Sequence, residues 1–352
     1  MAELRASMQH VAEERNHLHH IFNLLNALGG KTSPVAHLEE ELFRIREPYN
    51  LYRLDPVEGG HPGTDYKGIT MPDDLHLAFF AREIQRTQLV GHFVHEGYEI
   101  PVHYAITGAV ILERKNRVFG AWHQPKLENC VLLPEQFCAA GVVDKFRDIP
   151  GLNVVDTGGK KPEYTQLRIE ALRKSRVLTQ TLRGQLIEQW KLLEGSDLHE
   201  ALVVDGIDID ARPDNLMANF VALSDQVYVP WHNAEEIERQ LQIGPHQRGQ
   251  LLKVSRTEGE PLTKYTWFIR LRSSAKADPE FGLLRCTIVA GDDKTALERA
   301  EKFSARLIAE RLPVTFPAEG WDKLIFPVKL CWDYLESLIP TKETVRSYFA
   351  RD

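Results

Sequence analysis

The chain contains no run of the about eighteen apolar residues that a membrane-spanning helix needs, and its start, Met1-Ala2-Glu3-Leu4-Arg5-Ala6-Ser7, lacks the apolar stretch of an export signal. These two gaps lead us to expect a soluble, cytoplasmic protein with no membrane partner. Cysteine is scarce: Cys130, Cys138, Cys286 and Cys331 are widely spaced and form no CxxC pair, which argues against a disulfide or zinc framework. An excess of positive charge is also missing. A net charge of -7 speaks against a protein that coats nucleic acid over its whole surface, although local basic patches remain open. No internal repeat and no low-complexity tract occurs, so arrays and linker-like chains are set aside.

What is present is material for a large core: 352 residues, 43% of them hydrophobic, enough for two domains or one large domain with an appendage. Residues 3 to 29 carry an apolar stripe at helical spacing (Leu4, Met8, Val11, Leu18, Phe22, Leu25, Leu28) that stops at Gly29-Gly30. The stripe needs cover, from a second copy, from a partner or from its own domain. His17, His19 and His20 share no face well and are expected in solvent. A second helix is expected over 37–46, an irregular linker over 47–75 and a helix over about 76–90. Strands follow at 102–112, 117–122 and 131–133, with a glycine turn after Val154-Val155-Asp156. A long helix is predicted over 163–193, then a strand at 198–204. Beyond it we expect a helix near 212–222, a strand at 226–229 and a helix near 234–241. Strands at 251–255, 265–271 and 283–289 lead to helices at 293–311 and about 324–337. This order predicts an α/β fold: a mixed sheet with helices on its faces, in a domain spanning 76–352, preceded by an N-terminal helical appendage and linker in 1–75.

The stretch with the most chemical content is Ala201-Leu202-Val203-Val204-Asp205-Gly206. It reads either as a buried strand delivering a carboxylate to its end, where glycine admits a close ligand, or as an ordinary Asp-Gly turn. Upstream, Glu188 lies near the end of the long helix and offers a second carboxylate if that helix packs beside the strand; Glu170 is the alternative. Each Glu reads equally well as a surface residue. The same helix holds Arg168, Arg173, Lys174, Arg176 and Arg183. Arg168, Arg176 and Arg183 fall roughly on one side, either as a solvated face or as a phosphate-tracking one.

In order along the chain, the helix with Arg183, Glu188 and Trp190 runs into Leu202-Val203-Val204-Asp205-Gly206. Next come Leu252-Lys253-Val254-Ser255-Arg256-Thr257, Lys264 to Leu271 with its aromatic centre, Phe281-Gly282-Leu283-Leu284-Arg285, and Leu312-Pro313 followed by Trp321 to Pro327. Over roughly residues 100 to 340 this succession resembles the NurA family of DNA end-processing nucleases, whose RNase H-like fold is related to the PIWI domain. The resemblance implies an RNase H-like mixed sheet, DNA as substrate and a homodimer docked on a hexameric HerA-type ATPase, in DNA repair or antiphage defence. It also implies Mn²⁺ or Mg²⁺ held by Asp205 and Glu188 as catalytic ligands; with DNA as substrate, the helix face of Arg168, Arg176 and Arg183, together with Arg256, is expected to contact it. Phosphodiester hydrolysis needs such hard cations on carboxylates to activate water and neutralise the leaving oxygen.

Several expected positions are substituted. The first-strand carboxylate corresponds to Thr107, the closing Tyr to Phe326, and the later His to about Asp333 or Tyr334. Asp156, Asp208, Asp210 and Asp333 are the acids available to compensate. Two classes therefore compete within the resemblance: a metal-dependent nuclease, and a catalytically silent adaptor that guides DNA and docks on the ATPase. A PIWI-type nucleic-acid-binding module without an ATPase is the third reading.

Overall fold

The fold is that of a computed structural model, which describes residues 2–32, 53–58, 64–65, 75–115, 118–193, 200–205, 220–224, 242–255, 263–271, 283–309 and 335. Its helices are α1 (Ala2–Ala27), the short α2 (Val142–Arg147), α3 (Tyr164–Leu193) and α4 (Asp293–Ala309). The strands before α3 are β1 (Lys31–Thr32), β2 (Arg53–Pro56), β3 (Thr64–Asp65), β4 (His76–His95), β5 (Tyr98–Lys115), β6 (Val118–Ala121), β7 (Lys126–Leu133) and β8 (Asn153–Asp156). Those after it are β9 (Glu200–Asp205), β10 (Phe220–Ser224), β11 (Gln247–Arg248), β12 (Leu252–Ser255), β13 (Thr263–Arg270) and β14 (Leu283–Ala290).

These strands join in one mixed sheet whose main path runs β2-β12-β13-β14-β10-β9-β4-β5-β7-β8. β9 lies parallel to both β4 and β10, and β8 parallel to β7, while the remaining neighbours on this path are antiparallel. β4 and β5 form a long hairpin closed by Glu96 (φ 51°) and Gly97 (φ 82°). Two left-handed residues in a row match the right-handed strand twist, as in a type I′ turn.

The side chains of β4 alternate between two apolar layers. Leu77, Phe80, Ile84, Val90 and Phe93 enter the layer shared with α1 and α4, whereas Phe79 and Ala81 enter the one under α3. The helix expected over 76–90 is therefore a strand. With apolar residues on both faces no clean twofold period shows, and Arg82, Glu83 and Arg86 mimic helical charge spacing; pairing with β5 and β9 decides the outcome. A similar correction applies to 212–222, whose described part, Phe220 to Ala222, belongs to β10 and lies between β9 and β14. The expected elements at 37–46, 226–229 and 234–241 lie outside the described residues, as does the helix at 324–337 apart from buried Leu335.

The described parts of residues 1–75 share the core and the sheet of the rest. Leu18, Ile21 and Leu25 of α1 are buried in the main core, β1 pairs with β4, and β2 and β3 pair with β12 and β11. His17, expected in solvent, is buried: its ring nitrogen Nε2 donates to the Pro150 carbonyl at 2.9 Å. Burial holds its pKa below the ordinary imidazole value, the Pro150 hydrogen bond opposing. The fit of this corner depends on Gly91, where a Cβ would stand 2.5 Å from the Lys31 carbonyl and 2.8 Å from Leu25 Cδ1. Among the described residues no helix is long and apolar enough to cross a membrane.

Candidate functional site

The helix α3 lies across β4 and β5 with its chain antiparallel to β4. Trp190 packs edge-on against Phe79 with ring centroids 5.6 Å apart, Arg183 meets Glu83, Ser175 meets Thr87, and Tyr164 meets His92. At its C-terminal half the contact is apolar: Leu182, Leu186, Ile187 and Trp190 close over Phe79, Ala81, Ala109, Ile111, Leu202 and Val204. Towards the middle it turns polar. Glu83 Oε2 and Arg183 Nε are 3.0 Å apart with side chains 26% and 14% exposed, so the pair is largely removed from water. The hydroxyls of Thr87 and Ser175 are 2.6 Å apart, Gln85 Nε2 donates to Thr87 Oγ1 at 3.1 Å, and Lys126 Nζ donates to Gln185 Oε1 at 2.8 Å.

Asp205 occupies the end of β9 between β4 and β10. Its backbone pairs with Leu223, and Ala81 pairs with Val204, so Asp205 stands one step further on, level with Arg82 and next to Glu83 in sequence along β4. The strand reading of 201–205 therefore holds over the turn reading. It also changes which strand is the relevant neighbour. Thr107, in sequence the substituted carboxylate position beside Asp205, sits in the middle of β5, which β4 separates from β9. There it pairs with Gln85 on one side and Glu128 on the other, with no exposure, and its hydroxyl has no hydrogen-bond partner among the described residues. The strand that does adjoin β9 is β4, which the sequence reading misses because it makes 76–90 a helix; its Glu83 shares the α3 face with Phe79 and Ala81, whereas Asp205 is in register with Arg82, in the alternate row of Ala201 and Val203. The available signal is a lone acid in the alternating row Phe79, Ala81, Glu83, Gln85, Thr87.

The other expected residues scatter. Glu188 is exposed, with Lys191 Nζ at 2.9 Å from its carboxylate. Glu170 accepts from Gln166 and from Arg173 on its own helix, at 2.7 and 3.1 Å. Asp156 caps the loop after β8, accepting from the backbone of Glu135 and Gly158. It lies four strands from β9, about 19 Å at normal strand spacing. The three arginines do not form one surface track: Arg176 is exposed, Arg183 turns inward to Glu83, and Arg168 lies over the Tyr164 ring at 5.6 Å. Asp208, Asp210, Arg256, Phe326, Asp333 and Tyr334 fall outside the described residues.

As a divalent-cation site the described donors fit poorly. Glu83 and Glu188 each already face a cation of the chain itself, and no group of three or more His, Cys, Asp or Glu suited to a metal gathers among the described residues. What the arrangement offers instead is a charged, hydroxyl-rich seam between α3 and the sheet. No family model matches the chain, and no curated protein shows significant similarity to it.

Proposed function

We propose that the chain is a NurA-like, RNase H-fold DNA-handling subunit that works with a hexameric HerA-type ATPase, in the role of an adaptor that guides DNA. The observation that carries this reading is the central strand order. Three antiparallel strands, β7, β5 and β4, are followed, after the short α2 and the edge strand β8 beside β7, through the long helix α3 by β9, added parallel to β4 on its other side, and then by β10. That is the succession expected of an RNase H-like sheet, with α3 in the place of the helix that crosses it and Asp205 at the end of the fourth strand. The ion pairs of Glu83 with Arg183 and of Glu188 with Lys191 favour the adaptor over the nuclease. A cation at Glu83 competes with the guanidinium that already faces its half-buried carboxylate, while the exposed Glu188–Lys191 pair, screened by water, opposes one only weakly.

The nuclease reading keeps one specific point in its favour, the position of Asp205 at the end of a central strand between β4 and β10. Purified chain, with and without a HerA-type ATPase, is to be incubated with labelled DNA and Mn²⁺ and its mass in the mixture followed by light scattering. The adaptor reading expects a defined complex with the ATPase, DNA retention, and no cleavage beyond that of the ATPase alone. Cleavage that Asp205→Ala abolishes replaces it with the nuclease; absence of both complex and DNA binding removes the family reading.

A further inference from the structure

We infer that the far end of the α3 seam is a single-stranded-DNA anchor, built from Lys160, Lys161, Tyr164, Arg168, His92 and Val94. The inference rests on the DNA-handling reading but places contact where neither Asp205 nor any other position of the family resemblance except Arg168 lies. Three elements meet there. The Tyr164 ring, at the start of α3, receives the His92 ring of β4 edge-on at 6.0 Å, and the Arg168 guanidinium lies over Tyr164 at 5.6 Å. His92 also has Glu99 of β5 at 3.8 Å. Val94, next on the same face of β4, is 58% exposed, and Lys160 and Lys161 are exposed on the loop leading into α3.

The combination selects its ligand. Lysines on a surface loop attract any polyanion, and a duplex offers them nothing but phosphates. The half-buried Tyr164 ring with the Arg168 guanidinium over it is a planar pair on which an unpaired base stacks at the exposed side, a contact closed to bases inside a duplex. The anchor is also well placed. From Glu83 to His92 along β4 is about 30 Å at 3.3 Å per residue, and from Arg183 back to Tyr164 along α3 is about 29 Å at 1.5 Å per residue. The two rulers agree because the elements run antiparallel side by side. Exposed Arg176 lies between the two ends. A strand held at the anchor is thereby led along α3 towards Arg176.

The test is fluorescence anisotropy of the full chain with labelled oligothymidine and with a duplex of equal length, over a range of salt. Tyr164→Ala is expected to weaken oligothymidine binding about tenfold, the effect of removing one stacked base, and to leave the duplex within twofold, whereas Tyr164→Phe keeps both. Lys160→Glu with Lys161→Glu is expected to flatten the slope of log affinity against log salt by about 0.7 for each phosphate that the variant no longer neutralises. These two lysines are exposed, so that variant reports on the anchor even if Tyr164→Ala fails to fold. Parent chain that binds DNA while all variants match it overturns the anchor and leaves the DNA reading standing. Equal weakening for duplex and single strand overturns the stacking assignment. Parent chain that binds neither DNA overturns both the anchor and the reading on which it rests, and displacement of oligothymidine by an acidic peptide at equal charge concentration reassigns the surface to a protein partner.

Discussion

Two helices cover the same sheet from opposite faces, and they do so with different chemistry. α4 lies on β13 and β14 through Ala296, Ala300, Phe303 and Leu307, against Tyr265, Trp267, Ile269, Cys286 and Ile288. The Trp267 Nε1 proton there is satisfied by Ser304 Oγ at 2.9 Å. α3 begins and ends its contact with apolar residues yet carries Ser175, Thr179 and Arg183 in the middle, over Glu83, Gln85, Thr87 and Thr107. Burying those groups gains little stability, since each hydrogen bond only replaces one made to water, and any group left unmatched costs free energy outright. The α4 side is mainly apolar and its polar groups are paired: the Tyr265 hydroxyl donates to Asp293 at 2.7 Å and Arg306 lies 3.1 Å from His76. Apolar residues in those places are expected to leave the α3 side as stable or make it more so, and such a layer is where a ligand-handling surface is to be sought.

Substitutions sharpen the contrast. The largest effect is expected on the α4 side: Trp267→Ala empties a fully buried site and should lower stability by about 3–5 kcal/mol in chemical denaturation. DNA affinity per folded molecule should stay unchanged. On the α3 side, Arg183→Ala removes the cation facing Glu83 and should cost about 2–3 kcal/mol, less than a fully buried pair because both side chains retain some exposure. Replacing both partners, Glu83→Met with Arg183→Met, should recover most of that stability. A double replacement that is worse than Arg183→Ala would mean that the pair holds the seam together.

Thr107→Val should be nearly neutral or stabilising by about 1 kcal/mol, because it deletes a buried hydroxyl with no described partner and keeps the shape. Thr107→Asp should destabilise instead, since it places a charge beside Glu128 at a position with no exposure. The smallest effect is that of pH through His17. Its folded pKa lies below the ordinary 6.5 because burial disfavours the charged ring. The stability it contributes is therefore complete above about pH 6.5, and is lost as pH falls from there through the lowered folded pKa. His17→Gln should flatten that part of the profile of melting temperature against pH; an unchanged slope would place the acid sensitivity elsewhere.

How much of this is legible in the chain depends on periodicity. α3 and α4 are readable because their apolar residues recur at helical spacing, and β12 to β14 because their apolar and β-branched runs are short and bounded. β4 is not, since Phe79 and Phe80 are both buried, on opposite faces, and leave no alternation in the sequence. Reading β4 as a helix misplaces the strand neighbouring β9, and with it hides Glu83 and gives Thr107 a place it does not have. The strand ending at Asp205 is readable because an apolar run ending in Asp-Gly needs no knowledge of its neighbours. The docking of α1 stays open in the sequence, as its stripe says that cover is needed and not which surface supplies it.

The most direct test of the difference between the two layers is amide hydrogen exchange of the full chain with and without saturating oligothymidine. The account predicts added protection in the β4–β5 hairpin around residues 92–99 and in the first half of α3, with β13, β14 and α4 unchanged. Protection confined to β13, β14 and α4, with the α3 seam exchanging as before, would contradict it.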